Sequence, residues 1–141
     1  MILDDVAAYL VANIGGSLSL GSTGNVFKVP MPESAPNGSI AIVEYGGSPS
    51  LRAMGANAGA PIAEVVRAQI MVRDVLANFL TARTLAQTIT NTLDHVNNTT
   101  LASGGPRYLS VKALSQPVYI GEDSQGRHRF VCNFELMKER G

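Results

Sequence analysis

Two segments of the chain repeat hydrophobic residues at the spacing of an α-helix. In residues 2–14 the apolar positions recur every three or four residues, and two acids lie in the first turn, where the helix dipole favours negative charge. Residues 74–96 repeat the pattern over a longer stretch, and Asp74 is the expected N-cap. The pattern therefore predicts a short N-terminal helix and a long central helix.

Strands are predicted where apolar and polar residues alternate, or where short apolar runs lie between turn residues. In the last of them the alternation places Phe130, Cys132 and Phe134 on one face, and Gly126 provides the turn that precedes it. The predicted strands are residues 39–45, 63–73, 107–115, 117–121 and 127–136.

The two remaining long segments, residues 15–38 and 46–61, are rich in glycine and poor in charge, which is typical of loops. The first contains a short extended run at residues 25–29. Loops of this length are unusual in a compact domain and tend to be functional, so we expect them to contact a partner. The residues expected to make these contacts are Phe27, Tyr45, Arg52 and Met54.

The order of the elements favours the α+β class. Hairpins dominate, and no strand–helix–strand unit repeats, so the sheet is expected to be mostly antiparallel. We predict four to five strands packed on one face by two helices. The length of 141 residues suits a single domain over residues 1–141.

Composition excludes several functional classes. Eleven basic residues balance eleven acidic ones, so no overall field would attract nucleic acid or an anionic membrane, and no apolar run has membrane-spanning length. Charged residues make up only 16% of the chain, which indicates either an oligomer or a surface solubilised by small polar residues. The single cysteine excludes an internal disulfide.

Few residues offer catalytic or metal-binding chemistry. His128 and Cys132 lie four residues apart on one predicted strand, about 13 Å from each other, which is too far for proton transfer. Cys132 between two phenylalanines is typical of a buried residue, and His95 near a helix end is favoured by the dipole. Asp94 is adjacent to His95, but neighbours on a helix point about 100° apart. We therefore expect no catalytic residue, no cofactor and no metal site.

The back of the long helix is unusual. Between Val75 and Leu93 the only charged residue is Arg83, whereas a free surface helix normally carries Lys and Glu. An uncharged back with stray leucines is typical of a helix covered by another subunit, because interface cores lose charged residues. The alternative is an ordinary polar face. The residues expected at this interface are Leu80, Thr84, Leu85 and Thr88.

Four stretches, in this order, resemble the small minor-capsid or tail-terminator proteins of long-tailed bacteriophages. They read "GNVFKVPMP", "VEYGGSP", "IMVRD" and "IGEDSQGRHRFVCNFEL". The resemblance implies an α+β subunit of a hexameric ring in the virion. Such a ring caps the head-proximal end of the tail tube and joins it to the head-side connector. The resemblance implies two partners, the tube protein and the connector. It also implies that the genome passes through the ring without sequence-specific binding to the protein.

A ring requires two different surfaces to meet on neighbouring subunits. The candidates are the back of helix 74–96 and a sheet edge near residues 39–45 or 127–136. Three alternatives remain open: another head–tail joining or tail-completion protein, a non-enzymatic binding module such as a toxin–immunity partner, and a small enzyme. The last would need His95, His128, Asp94 or Asp123 to cluster in a pocket.

Overall fold

The computed structural model describes residues 2–14, 18, 20, 24–28, 30, 35, 38–52, 61–74 and 78–139, with the backbone alone at 47–52 and 61–62. It contains two helices and seven strands within these ranges. The elements are α1 (Ile2–Ile14), β1 (Val26–Phe27), β2 (Ser39–Arg52), β3 (Pro61–Asp74), α2 (Phe79–Leu93), β4 (Asn97–Thr100), β5 (Arg107–Ala113), β6 (Val118–Glu122) and β7 (His128–Glu139).

All seven strands form one sheet in the order β1-β2-β3-β7-β5-β4, and β6 pairs with β7 next to β5. Every pairing is antiparallel except that of β1 with β2. The predicted α+β class with a mostly antiparallel sheet is confirmed, with more strands than the expected four to five. The central strand is β7, which pairs with β3 on one side and with β5 and β6 on the other.

Both helices pack on the same face of the sheet, as predicted. α2 lies over β3 and β7, and α1 lies beside α2 over β2. The alternation in β7 is also confirmed, because Phe130, Cys132, Phe134 and Leu136 all face this core. Burial of their large apolar surfaces is the main force that holds the two layers together.

β2 and β3 are longer than predicted, because their ladder continues through residues that the sequence indicated as loop. Gly47 pairs with Val66, and Arg52 pairs with Pro61. One extra residue is accommodated between Glu44 and Gly47, where Gly46 adopts φ +46°. A left-handed glycine of this kind is typical of a β-bulge. The predicted loop 46–61 is therefore wrong at both ends, and its middle part, residues 53–60, lies outside the described residues.

α2 is shorter at both ends than the predicted helix 74–96. Asp74 is not its N-cap, because it is the last residue of β3, where it pairs with His128, and its carboxylate accepts a hydrogen bond from Asn78. The ladder with β7 outweighs the capping preference of this residue. At the other end, residues 97–100 form β4 against β5. Four polar residues, Asn-Asn-Thr-Thr, gave no alternation from which this strand could be predicted.

A buried hydrogen bond joins α1, which lies over β2, to β5, three strands further along the sheet. The Tyr108 hydroxyl on β5 donates to the Asp5 carboxylate over 2.8 Å, and the two residues are 0% and 5% exposed. Burial, together with this bond and the negative charge of Asp5, raises the pKa of Tyr108 well above its ordinary value. Asp5, expected to serve only the helix dipole, thus has a second role in joining two distant parts of the chain.

Candidate functional site

The predicted interface residues of α2 lie together around one groove. The side chains of Ala82, Ala86 and Ile89 face the sheet, so at 100° per residue the intervening positions point to the back of the helix. There they border an open groove of about 390 Å³ that ends against the last residue of α1. The groove is lined by Ile14, Leu80, Thr81, Thr84, Leu85 and Thr88.

The described residues that line this groove are aliphatic or threonine, and none of them is charged. Leu80 is 74% exposed, and Leu85 is half-buried against the core. The Thr88 hydroxyl donates to the backbone oxygen of Thr84 over 2.9 Å, so its hydrogen-bonding capacity is met within the helix. Arg83, the only charged residue in α2, does not line the groove. Such a surface can bury apolar area without desolvating a charge, and it offers no group for acid, base or nucleophilic chemistry.

Among the other predicted contact residues, Phe27 and Tyr45 are not part of the groove lining that the structure describes. Phe27 is half-buried in β1, and Tyr45 lies at the β2 bulge with 37% of its surface exposed. The side chain of Arg52 and the whole of Met54 lie outside the described residues. Whether these four residues contact a partner stays a prediction.

The predicted sheet edge at residues 127–136 is wrong, because β7 is the central strand. The edges on this side are formed by β4, which pairs with β5, and by β6, which pairs with β7 alone among the described strands. At the opposite side of the sheet, the predicted edge at residues 39–45 is covered by β1 at Ile40 and Ala41. Local alternation identifies a strand, but it does not reveal which strand becomes an edge.

The corner where β5 turns into β6 exposes four large apolar side chains, and the sequence analysis missed them. Each is between 41% and 47% exposed. The signal that could have revealed this corner patch is a run of eight residues, 114–121, without a charge. The residues of the corner patch are Leu114, Val118, Tyr119 and Ile120.

Aromatic contacts hold the corner patch on the body of the protein. The Tyr119 hydroxyl lies 2.7 Å from His128 Nδ1, and its ring is 5.5 Å from that of Phe79 and 5.2 Å from that of Phe130, centroid to centroid. The His128 ring packs edge-on against Phe79 at 4.8 Å. β6 is therefore fixed to both the sheet and the first turn of α2.

The residues considered for an enzyme have separate structural partners. Asp94 accepts a hydrogen bond from the backbone of Ala113 over 2.7 Å, His95 is exposed, and His128 contacts Tyr119. Among the described residues, no three histidines, cysteines or acids are placed to hold a metal ion. In the same part of the chain, no helix is long and apolar enough to cross a membrane.

Asp123 forms an ionic cluster in the turn between β6 and β7. Its carboxylate lies 2.7 Å from Arg127 Nε and 3.8 Å from Arg73 at the end of β3. Burial alone would raise the pKa of Asp123, but hydrogen bonds from the backbone of Arg127 and Gln125 and from the Arg127 guanidinium lower it below its ordinary value. The sequence indicated only a turn residue here.

The Asp123 cluster predicts an acid-sensitive contribution to stability. Because the folded pKa lies below the unfolded value of about 3.9, the carboxylate stabilises the fold above that pH and loses this effect as pH falls through the folded pKa. Asp123→Asn is expected to be less stable than the wild type at neutral pH, and the gap should shrink between about pH 5 and pH 2. Urea unfolding at several pH values measures this difference in the free energy of unfolding. A difference that does not change with pH would contradict a stabilising role of the Asp123 carboxylate.

Cys132 is expected to be unreactive in the folded protein. It is fully buried, its Sγ lies 3.6 Å from the backbone oxygen of Ala86, and burial raises the pKa of its thiol to about 11. Thiolate is the reactive form, so a disulfide reagent at about pH 8 should modify Cys132 only after unfolding in denaturant. Rapid stoichiometric labelling of the native protein would show that the site opens.

Comparisons with known proteins identify a family and related folds. Residues 13–140 match a family model described as bacteriophage tail terminator protein. A chain from a solved structure of the virion of a native gene transfer agent particle is 15% identical, with a TM-score of 0.62 over 99% of this chain and 95% of that one. A second solved chain is 12% identical, with a TM-score of 0.54 over 98% and 96%. A search of curated proteins finds no match.

Proposed function

The chain belongs to the bacteriophage tail terminator family, and we propose that it assembles into a closed ring, a hexamer, at the head-proximal end of the tail tube. There it would contact the tube protein below and the head-side connector above, as a virion component without catalytic activity. The observation that carries this proposal is the uncharged groove on the back of α2, with Leu80 74% exposed at its rim.

The exposed Leu80 lies beside the half-buried Leu85 and Ile14 at the groove. These apolar side chains favour association, because burying their surface releases ordered water. A helix back that only met solvent would gain solubility from Lys and Glu, and α2 has neither. We therefore assign Leu80, Thr84, Leu85 and Thr88 to the contact between subunits.

The remaining predicted contacts are assigned to the neighbours along the tail. Phe27 and Tyr45 lie on β1 and β2, away from the lining of the α2 groove. A ring between a tube and a connector needs surfaces above and below it in addition to those between subunits. We propose that Phe27, Tyr45, Arg52 and Met54 belong to those outer surfaces.

The test is the oligomeric state of the wild-type protein, alone and with purified tube protein. Native mass spectrometry should give a closed oligomer of defined size, and negative-stain microscopy should show it at one end of each tube. Tubes assembled with the protein should stop at a uniform length. A wild type that stays monomeric at micromolar concentration, and that leaves tube ends unoccupied, would contradict the proposal.

A further inference from the structure

We propose that the corner patch, formed by Leu114, Val118, Tyr119 and Ile120, inserts into the α2 groove of a second copy of this chain. This inference rests on the proposed ring, and it names the second surface that the ring requires. Closed rings are built from heterologous contacts, in which one patch of a subunit meets a different patch of the next. The groove and the corner patch are two such surfaces on one chain.

The two surfaces match in polarity and in charge. The corner patch belongs to an uncharged run, residues 114–121, and the groove residues that the structure describes are leucine, isoleucine and threonine. Joining them would desolvate no charge on either side, and a charged partner in either place would leave an uncompensated ion. An uncharged, apolar surface is therefore the occupant that suits the groove, and this chain has one.

Both surfaces are accessible to another subunit. The groove is open between α2 and the last residue of α1, and three of the four corner-patch residues lie on the edge strand β6. In the β6 ladder Tyr119 pairs with Phe130 and Gly121 with Arg129, so Ile120 is an extra residue on β6. Gly121, with φ +93°, permits this bulge, and bulges on edge strands re-aim side chains away from the ladder.

Tyr119, the aromatic residue of the corner patch, is held in place within the single chain. Tyr119 is anchored by His128 at 2.7 Å and by ring contacts with Phe79 and Phe130. Binding therefore has little side-chain entropy to lose at this position, which favours association. β4, the neighbouring edge strand, is short and consists of exposed Asn and Thr, so it lacks the apolar surface that β6 presents.

Two lysine variants test the pairing by complementation. Thr84→Lys blocks the groove, Ile120→Lys blocks the corner patch, and both positions are exposed, so the fold should persist. Each variant alone should lose rings, with association weakened at least about tenfold. A mixture retains one intact contact between unlike chains, so it should form one-to-one heterodimers and nothing larger. Ser103→Lys, in an exposed turn, is the matched control and should assemble normally.

Native mass spectrometry distinguishes the outcomes, because the two variants differ in mass. The dimer lacks ring closure, so it is expected at concentrations at least about tenfold higher than the wild-type ring. If the wild type forms rings and Ile120→Lys forms them equally well, this inference is overturned but the proposed ring is not. A mixture of the two variants that forms no heterodimers would also overturn it. So would Ile120→Lys rings that assemble normally but do not bind tube protein, because the corner patch would then contact the tube and not a second copy. A monomeric wild type in the presence of tubes would contradict the proposed function itself.

Discussion

Leu80→Asp is expected to leave the protein folded but to convert the ring into monomers. Leu80 is the most exposed of the large apolar residues that the structure describes, at 74%, so its side chain contributes little to the core of the single chain. In the assembled ring it would be covered at every contact. A carboxylate at this position would have to be desolvated without a partner, at a cost of about 3 kcal/mol, or roughly a hundredfold in affinity per contact.

The position of Leu80 separates assembly from folding. It lies in the first turn of α2, where the helix dipole favours a negative charge, so the substitution should not weaken the helix. Circular dichroism and the urea midpoint should match those of the wild type, while native mass spectrometry shows monomers. Ser103→Asp introduces the same charge in an exposed turn, and it should assemble as the wild type does.

Leu80→Ala completes the series, because it removes apolar area without adding a charge. We expect it to weaken the ring less than Leu80→Asp does, in proportion to the area lost. Normal rings from Leu80→Asp would show that the α2 groove is not a subunit contact. The groove would then be assigned to the tube or the connector, and binding of Leu80→Asp rings to tubes would measure that role.

The parts of the fold that could be predicted from the sequence are those controlled by local periodicity. α1 was predicted at its observed bounds, and the buried face of β7 was identified residue by residue. Both follow from the spacing of apolar side chains along one element, which reflects the face that packs on the core. The residues of α2 expected at an interface are positions off the buried stripe, and the structure places them around one groove. Whether they contact another subunit stays a prediction.

The strand features that were missed depend on pairing with another segment of the chain. β4 has no apolar alternation, and it is a strand because β5 lies beside it. Gly46 and Gly47 indicated a loop, but the ladder with β3 continues past them through a bulge. In each case hydrogen bonds to the next strand override the local preference of the residues, and alternation within one segment does not reveal that partner.

Which strand forms an edge, and which partner a buried polar residue has, also depend on residues outside the local segment. That β7 is central and β6 is an edge depends on the order of strands in the sheet, which alternation along a strand does not specify. Asp5 has its partner 103 residues away in Tyr108. The first turn of a helix already provides a sufficient reason for an acid, so no local pattern indicated the second role.

Tyr108→Phe is expected to destabilise the fold by about 1.5–3 kcal/mol, the usual range for a hydrogen bond to a charged group. The substitution removes one oxygen, and the carboxylate of Asp5 loses this donor while staying 5% exposed. Gly105 lies close to this carboxylate, since a Cβ there would lie 3.3 Å from Asp5 Oδ1. The midpoint temperature of thermal unfolding should fall by roughly 2–4 °C for each kcal/mol lost from the free energy of unfolding.

A double-mutant cycle separates this bond from simple loss of packing. With Asp5→Ala in the background, Tyr108→Phe no longer strands a carboxylate, so it should cost at least about 1 kcal/mol less than in the wild type. Tyr9→Phe removes the same atom from a half-buried tyrosine on α1 and should change stability by under about 0.5 kcal/mol. Equal costs of Tyr108→Phe in both backgrounds would show that Asp5 and Tyr108 stabilise the fold independently. The buried bond would then not be what joins α1 to β5.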